Sequence, residues 1–393
     1  MKKIFTLLLA VSFCIVVNAQ GELNSKTMTW GDDEREYLEY VPANVSSPAP
    51  VLFVLHGLGD NMTSMFNNTG FKEIADEHGW IVITPQAIAL TATIMGFGTP
   101  QTMPIDAAWN SGVSGTIPDY NITVSIDGPD DAGFLMAILD DLIANYNVDQ
   151  NSVFFTGFSM GGFMTNRMAI EHGDRIKAIA SVSGTIGKHF ISSTPISYVS
   201  TMHIHGTSDG TVGYANADLT YEGFSVSVGL GAEATVEYWR SYNQCSATPI
   251  HTDYPDNASD GKTFEKFMYE NGTENTRTAF IKVNGGDHEW YYTPDYDVDY
   301  TSEIYNFFAL CMGLVDVSEN TFPTVNVYPN PTKDMLHVEG ADITNIQVFN
   351  ALGQLMTSTT SKDIPVSSYS EGLYTVSVTF ADGRTLTRKV MVK

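Results

Sequence analysis

The chain has 393 residues, 43% hydrophobic and 17% charged, with 45 acidic against 20 basic side chains and a net charge of −25. A surface this acidic repels DNA, RNA and anionic lipid, so nucleic-acid partners and basic membrane-surface roles are excluded and a soluble secreted protein is favoured. The charge is uneven: residues 20–322 hold 39 of the acidic and 12 of the basic groups, whereas residues 323–393 hold six of each.

In chain order, Lys2 and Lys3 precede an apolar run from Phe5 to Val17 and the small-residue site Val17-Asn18-Ala19, the pattern of a secretory signal peptide over residues 1–19. The run is too short for a membrane anchor. The lone Cys14 lies inside it, so the mature chain keeps Cys245 and Cys311. Strand-like runs follow near 37–41 and 51–55, the second leading into His56-Gly57-Leu58-Gly59-Asp60. A helical pattern covers 71–78 and another strand-like run 80–84. The segment 86–129, rich in Gly, Pro and Thr, reads as an irregular insertion of the kind that walls or lids a pocket. It is followed by a helical pattern over 131–145.

Val153-Phe154-Phe155-Thr156 has the composition of a buried strand and meets Gly157-Phe158-Ser159-Met160-Gly161, after which a helical pattern covers 161–172. A serine between two glycines at a strand-to-helix turn is a nucleophile elbow. The sharp turn holds the hydroxyl above the sheet at a helix N-terminus, where amides and dipole favour negative charge. A serine needs a base, and the base an orienting acid, in the order Ser, acid, His, each in a loop after a strand. The run 201–204 leads into His205-Gly206-Thr207-Ser208-Asp209, and the run 279–283 into Asn284-Gly285-Gly286-Asp287-His288. Ser159, Asp209 and His288 are therefore the expected triad. Asp287 ranks below Asp209 as the acid, because adjacent loop residues point apart. His205 and His56 read as packed residues, and no strand leads into His251. The amide of Met160 and that of Leu58, with Gly57 as the alternative, are the expected oxyanion donors.

Between these segments lie strand-like 177–182, a smaller insertion at 211–230, a helical pattern at 232–242 and another at 301–311. Cys245 follows the first of those helices and Cys311 ends the second, so a disulfide between them is open, against two buried free thiols. Asp295, Asp297 and Asp299 alternate as a calcium loop begins, but the loop glycine and terminal glutamate are missing. No metal and no cofactor are expected, and the three acids read as preceding and capping the last helix. Alternating strands and helices imply an α/β architecture with a mostly parallel central sheet covered on both faces.

Residues 315–322 read as a polar linker. Beyond it, about 70 residues of period-2 runs, from Val325-Asn326-Val327 through Ile346-Gln347-Val348-Phe349 to Gly372-Leu373-Tyr374, imply a small β-sandwich over 323–393.

LHGLGDN at 55–61, AWNSG at 108–112, the stretch 130–162, HGTSD at 205–209 and GGDHEW at 285–290 together resemble secreted α/β-hydrolase esterases of the polyhydroxybutyrate depolymerase and feruloyl or acetylxylan esterase-like family. The resemblance spans roughly 28–312, within a hydrolase unit expected over 20–314. It implies ester hydrolysis through an acyl-enzyme, with Trp109, Asn110 and Trp290 as pocket residues. In that family a proline follows the tryptophan of the histidine loop; here Tyr291 does, which weakens the carry-over of substrate more than that of mechanism. YPNP at 328–331, NALGQ at 350–354, EGLY at 371–374 and the basic C-terminus resemble the type A sorting domain of type IX secretion. That resemblance implies the export machinery as a partner, and a product either released or attached to the outer surface. The expected function is a secreted serine esterase removing feruloyl or acetyl groups from plant polysaccharide. The alternatives are a polyester depolymerase with the same triad, or a non-catalytic binding protein on a hydrolase scaffold. Acyl group and oligomeric state are left open.

Overall fold

Apolar runs long enough to be covered on both faces build the centre of the larger unit. The computed structural model describes residues 21–95, 100–117, 122–221, 224–258, 260–314, 325–340, 342–350, 354–380 and 385–393. The expected signal peptide at 1–19 and linker at 315–322 lie outside the described residues. The chain divides into two compact units, Met1–Leu314 and Val315–Lys393.

In the first unit the strands are β1 (Glu22–Trp30), β2 (Asp33–Val41), β3 (Ala49–Leu55), β4 (Ile81–Pro85), β5 (Leu90–Met95), β6 (Gln101–Ile105), β7 (Ser114–Ile117), β8 (Ile122–Asp127), β9 (Val148–Phe158), β10 (Ala178–Val182), β11 (Ser200–Gly206), β12 (Asp218–Tyr221), β13 (Phe224–Ser227), β14 (Ile250–Asp253), β15 (Thr263–Tyr269) and β16 (Thr278–Asn284). The helices are α1 (Met62–Asn68), α2 (Phe71–His78), α3 (Asp131–Asn145), α4 (Met160–His172), α5 (Ala232–Tyr242) and α6 (Tyr300–Met312). Ten strands form one sheet in the order β1-β2-β4-β3-β9-β10-β11-β16-β15-β14. The six from β4 to β16 are parallel, and antiparallel pairs close both edges. This is the α/β-hydrolase sheet.

Every residue of β3, β4, β10 and β11 is buried, as parallel strands covered on both faces require. Alternation sends neighbouring rings to opposite faces. Phe155 stacks on Phe53 at 4.4 Å on one side, in the core shared with α3 and α4. Phe154 stacks between Trp80 at 5.0 Å and Phe308 of α6 at 4.7 Å on the other. Among the described residues no helix is long and apolar enough to cross a membrane.

One expectation is corrected, and of two alternatives left open one is found. The insertion 86–129 is not irregular: it folds a four-stranded antiparallel sheet in the order β6-β5-β8-β7, and 211–230 contains the hairpin β12–β13. Runs such as Leu90-Thr91-Ala92-Thr93-Ile94 have strand composition, but they pair with each other across local turns rather than with the main sheet. The disulfide is not formed; Cys245 and Cys311 are buried free thiols. Cys245 Sγ lies 3.8 Å from the Thr276 carbonyl oxygen and 3.9 Å from Thr278 Oγ1, at the start of β16. Burial raises the thiol pKa of both, that of Cys311 to about 11, against weaker lowering by groups that include Ser200 and Arg277.

In the second unit, β17 (Asn326–Tyr328), β18 (Met335–Glu339) and β21 (Asp363–Pro365) form one small sheet, and β19 (Ile343–Asn350), β20 (Leu355–Thr359), β22 (Gly372–Phe380) and β23 (Thr385–Val392) another. Leu336, Val338 and Ile364 of the first sheet share one core with Val348, Val376, Val378 and Val390 of the second. Inward residues at i, i+2 produce that core, as in a two-layer sandwich.

Candidate active site

The elbow is set by backbone. Ser159 has φ 55° and ψ −120°, a left-handed conformation held at a cost of about 1–3 kcal/mol for a residue with a Cβ. Its amide donates to the Val182 carbonyl at 2.8 Å, and its carbonyl accepts from the amides of Gly162 and Phe163 at 2.9 and 3.1 Å, the first turn of α4. A Cβ at Gly161 would stand 2.2 Å from the carbonyl oxygen of Leu55, so only glycine lets α4 start this close to β3.

The loop after β3 lies alongside, since a Cβ at Gly57 would be 3.4 Å from the Ser159 Cβ. Within it the Asp60 amide donates to the Gly57 carbonyl, and the Gly59 amide donates outward to the Ala107 carbonyl; among the described hydrogen bonds none uses the amide of Leu58 or Met160. Those two expected oxyanion donors are thus uncommitted. His56 holds the loop from below. Its Nε2 accepts from the Ala87 amide at 3.0 Å, so Nδ1 carries the proton donated to the Gly57 carbonyl at 2.7 Å. Burial lowers its pKa and keeps the ring neutral.

Asp209 is 6% exposed. Its Oδ1 accepts from the amides of Thr211 and Val212 at 2.9 and 2.8 Å, and its Oδ2 accepts from His288 Nδ1 at 2.7 Å. Burial alone would raise its pKa, but hydrogen bonds from His205 and His288, the charge of His288 and the Val212 amide hold it far below the ordinary carboxylate value. With Nδ1 on the acid, the other imidazole nitrogen of His288 is left to act as base. The ring of Phe158, next to Ser159 in the chain, packs on the His288 ring at 4.8 Å. The three expected triad residues are therefore gathered at the C-terminal edge of β9, β11 and β16.

Rival residues fall elsewhere. The Asp287 carboxylate lies 3.6 Å from Lys262, while its amide donates to the Tyr291 hydroxyl at 2.7 Å. Tyr291 is fully buried against Tyr296 and Tyr300, and so anchors the turn that carries His288. His251 sits on the edge pair β14–β15 with Asp253 and Glu265, the one described trio whose donor atoms converge as metal ligands would. It stands on β14, away from the strand ends that carry Ser159, Asp209 and His288. Asp299 caps α6 by accepting from the Ser302 amide, and Asp297 accepts from the amides of Asn257 and Ala258.

Of the expected pocket residues, Trp109 is corrected. It is fully buried, and its Nε1 donates to the His56 carbonyl at 2.9 Å, so it braces the loop after β3 from within the core rather than standing open to solvent. Asn110 is half-buried, and its side-chain amide donates to the carbonyls of Gly128 and Pro129 at 3.3 and 3.2 Å. Its backbone amide donates to Asp131, whose partner is the equally buried Arg35 at 2.7 Å. Trp290 stays partly exposed, edge-on to Phe158 at 6.5 Å and Phe71 at 6.0 Å. A cavity of about 520 Å³ between α3, α4 and the 190–196 segment is lined by Arg167, Glu171 and Phe190 and by none of the triad residues.

No pattern in the sequence pointed to Phe158; His205 was read only as a packed residue, although two histidines at i, i+2 in a strand share a face and were a signal for its pairing with His203.

The phospholipase/carboxylesterase family model matches residues 38–239, which include Ser159 and Asp209. The secretion system C-terminal sorting domain model matches residues 326–393. A bifunctional acetylxylan esterase/xylanase of Neocallimastix patriciarum is 27% identical over 184 residues, 47% of this chain and 23% of that protein. Feruloyl esterase B of Neurospora crassa is 30% identical over 161 residues, 40% of this chain and 48% of that protein. The chain thus spans less than half the length of these two curated relatives. An acetyl xylan esterase from Aspergillus awamori aligns in structure with a TM-score of 0.48 at 15% identity, covering 74% of this chain and 99% of that one.

Proposed function

This chain belongs to the phospholipase/carboxylesterase family, and on that premise we propose that it is a secreted serine esterase that removes feruloyl or acetyl groups from plant polysaccharide. The observation that carries the reading is the 2.7 Å hydrogen bond from His288 Nδ1 to the buried Asp209 carboxylate in the loop after β11, on a ring packed against the residue preceding Ser159. In this reading His288 takes the proton of Ser159 as its oxygen attacks the ester carbonyl. Asp209 holds the resulting imidazolium. The amides of Met160 and Leu58 receive the developing oxyanion, each worth about 3–4 kcal/mol in comparable sites. His288 then returns the proton to the leaving alkoxide, and water repeats the sequence in reverse to free the acid.

The polysaccharide substrate is supported by the acetylxylan esterase and feruloyl esterase relatives and by the partly exposed Trp290, whose ring suits an aromatic acyl group or a sugar face. The sorting-domain match supports export through a type IX system, followed by release or attachment at the outer surface.

Incubation with acetylated, feruloylated arabinoxylan, and in parallel with amorphous polyhydroxybutyrate, tests the reading, with Ser159→Ala as control. Ferulate or acetate release that disappears in Ser159→Ala is expected. Release of 3-hydroxybutyrate alone would transfer the enzyme to polyester degradation. Full activity in pure Ser159→Ala protein would overturn the mechanism, and no hydrolysis by the wild type on any of these esters would leave a binding role on this scaffold.

A further inference from the structure

Behind the Asp209 carboxylate runs a buried chain of hydrogen bonds that the proposed acid–base steps do not use. β10 and β11 are parallel, and their register pairs Ser181 with His203. Alternation along β11 places His203 and His205 on one face. Ser181 Oγ lies 2.8 Å from His203 Nδ1, His203 Nε2 lies 3.1 Å from His205 Nδ1, and His205 Nε2 lies 2.9 Å from the carbonyl oxygen of Val212. The same Nε2 is 3.4 Å from Asp209 Oδ2. Ser181, His203 and His205 are 1%, 3% and 0% exposed, so water does not compete for these bonds.

The terminal acceptor gives the chain a direction. A carbonyl oxygen only accepts, so His205 Nε2 carries a proton. A neutral His205 then accepts at Nδ1, which obliges His203 to donate from Nε2. A neutral His203 in turn accepts at Nδ1 from the Ser181 hydroxyl. Every polar atom of the three side chains is satisfied, which a buried network requires. Burial, with the neighbouring His205, pushes the His203 pKa well below that of free histidine, in keeping with a neutral ring. His205 sits closer to the neutral carbonyl than to the carboxylate, the reverse of what a charged imidazolium would choose.

Resting on the reading of Asp209 as the triad acid, we propose that His205 is a positioning residue for it, locked by His203 and Ser181 in the Nε2–H tautomer so that one proton ties down both the Val212 carbonyl and Asp209 Oδ2. The arrangement is reciprocal. Val212 receives from His205 through its carbonyl and gives to Asp209 Oδ1 through its amide, so one ring fixes both the turn 209–212 and the carboxylate it carries. Oδ2 is thereby presented to His288 in one direction. Loss of the Nε2–H takes one donor from Oδ2 and the donor from the Val212 carbonyl, and so loosens the turn that aims the carboxylate at His288.

The test uses the full chain labelled with nitrogen-15 histidine, together with steady-state hydrolysis of an aryl acetate. Near neutral pH, His203 and His205 are both expected to show the nitrogen shifts of neutral Nε2–H rings, assigned from His203→Phe and His205→Met spectra. His205→Met is expected to lower kcat about 10- to 100-fold with KM nearly unchanged. It should also shift or broaden the low-field proton of the His288–Asp209 hydrogen bond. His205→Gln, whose amide N–H reaches the place of Nε2, should restore most of kcat and the low-field signal. A ring that merely fills space would leave that signal in place and make the two variants alike. Either ring found charged or in the Nδ1–H form, or wild-type kcat in folded His205→Met, overturns the proposal. If the methionine variant does not fold, the wild-type tautomers and the glutamine variant decide. Ser159→Ala separates the two readings: if it retains activity the triad fails, whereas if it is dead while His205→Met is fully active only the positioning role fails.

Discussion

Phe158 lays its ring against the imidazole of His288, 4.8 Å between ring centres, so the residue before the candidate nucleophile supports the candidate base. The two come from separate places in the chain: Phe158 ends β9, and His288 lies in the loop after β16. The strain at Ser159 fixes where its neighbour points, and the neighbour's ring then limits how far the imidazole can turn.

Replacing Phe158 with alanine should therefore act on the chemical step. The His288–Asp209 bond keeps one end of the ring, but the packed face is lost. We expect kcat for an aryl acetate to fall about 10- to 100-fold with KM changed much less, and Phe158→Leu to recover part of the loss. Equal losses for both variants, seen only as higher KM, would assign Phe158 to substrate contact instead.

Ser159→Gly should separate activity from stability. Glycine adopts φ 55° without the Cβ penalty, so relief of strain is expected to stabilise the fold by about 1 kcal/mol or more, less the added entropy of the unfolded chain. Ester hydrolysis should fall by at least about a thousandfold with the nucleophile gone. Urea melts of the glycine and wild-type proteins check the first point, and the aryl acetate assay the second. A less stable glycine variant would mean that the elbow is not strained.

Asp209 makes stability depend on acid pH. Its folded-state pKa lies far below the ordinary value of 3.8, so the unfolded chain takes up its proton first as pH falls. The contribution is fully present above about pH 4–5 and is lost progressively as pH falls toward the folded-state value. The groups facing the carboxylate are His205, His288 and the amides of Thr211 and Val212. Asp209→Asn should be less stable than wild type at neutral pH, and the gap should narrow below about pH 4, measured by denaturant unfolding across that range. A gap that widens on acidification would contradict the sign.

Cys245 and Cys311 should both react with a thiol reagent after unfolding, without any reductant, and scarcely at all in the folded chain. Both are buried, and burial raises their pKa, so little thiolate is present to attack. Recovery of neither thiol from the unfolded, unreduced protein would show that a disulfide had formed between them.

Local patterns in the sequence carried much of the sheet. The apolar runs at 51–55, 177–182 and 201–204 became β3, β10 and β11, and the helical patterns at 71–78, 131–145 and 232–242 became α2, α3 and α5. These elements are legible because burial on both faces, or on one helical stripe, is written into consecutive residues. β1 was not legible: Glu22–Trp30 alternates half-buried with exposed positions and has few apolar residues. An edge strand needs only its partner β2 to exist. β5 to β8 were masked by their turn residues, which separate short strands instead of marking a loop.

The sequence by itself determined the order of chemistry-bearing loops: a serine between glycines after one strand, then an acid, then a histidine, each at a strand end. It could do so because a turn that sharp, with its glycines, is a local necessity of the backbone. Which side chains meet was decided by tertiary structure alone. The parallel register puts Ser181 beside His203, and the approach of the loops after β11 and β16 puts His288 on Asp209. Trp109 reads the same in sequence whether it lines a pocket or braces a loop; a hydrogen bond to His56 and complete burial settle it as a brace. Contacts of this kind depend on how distant segments pack, and no window of neighbouring residues contains that information.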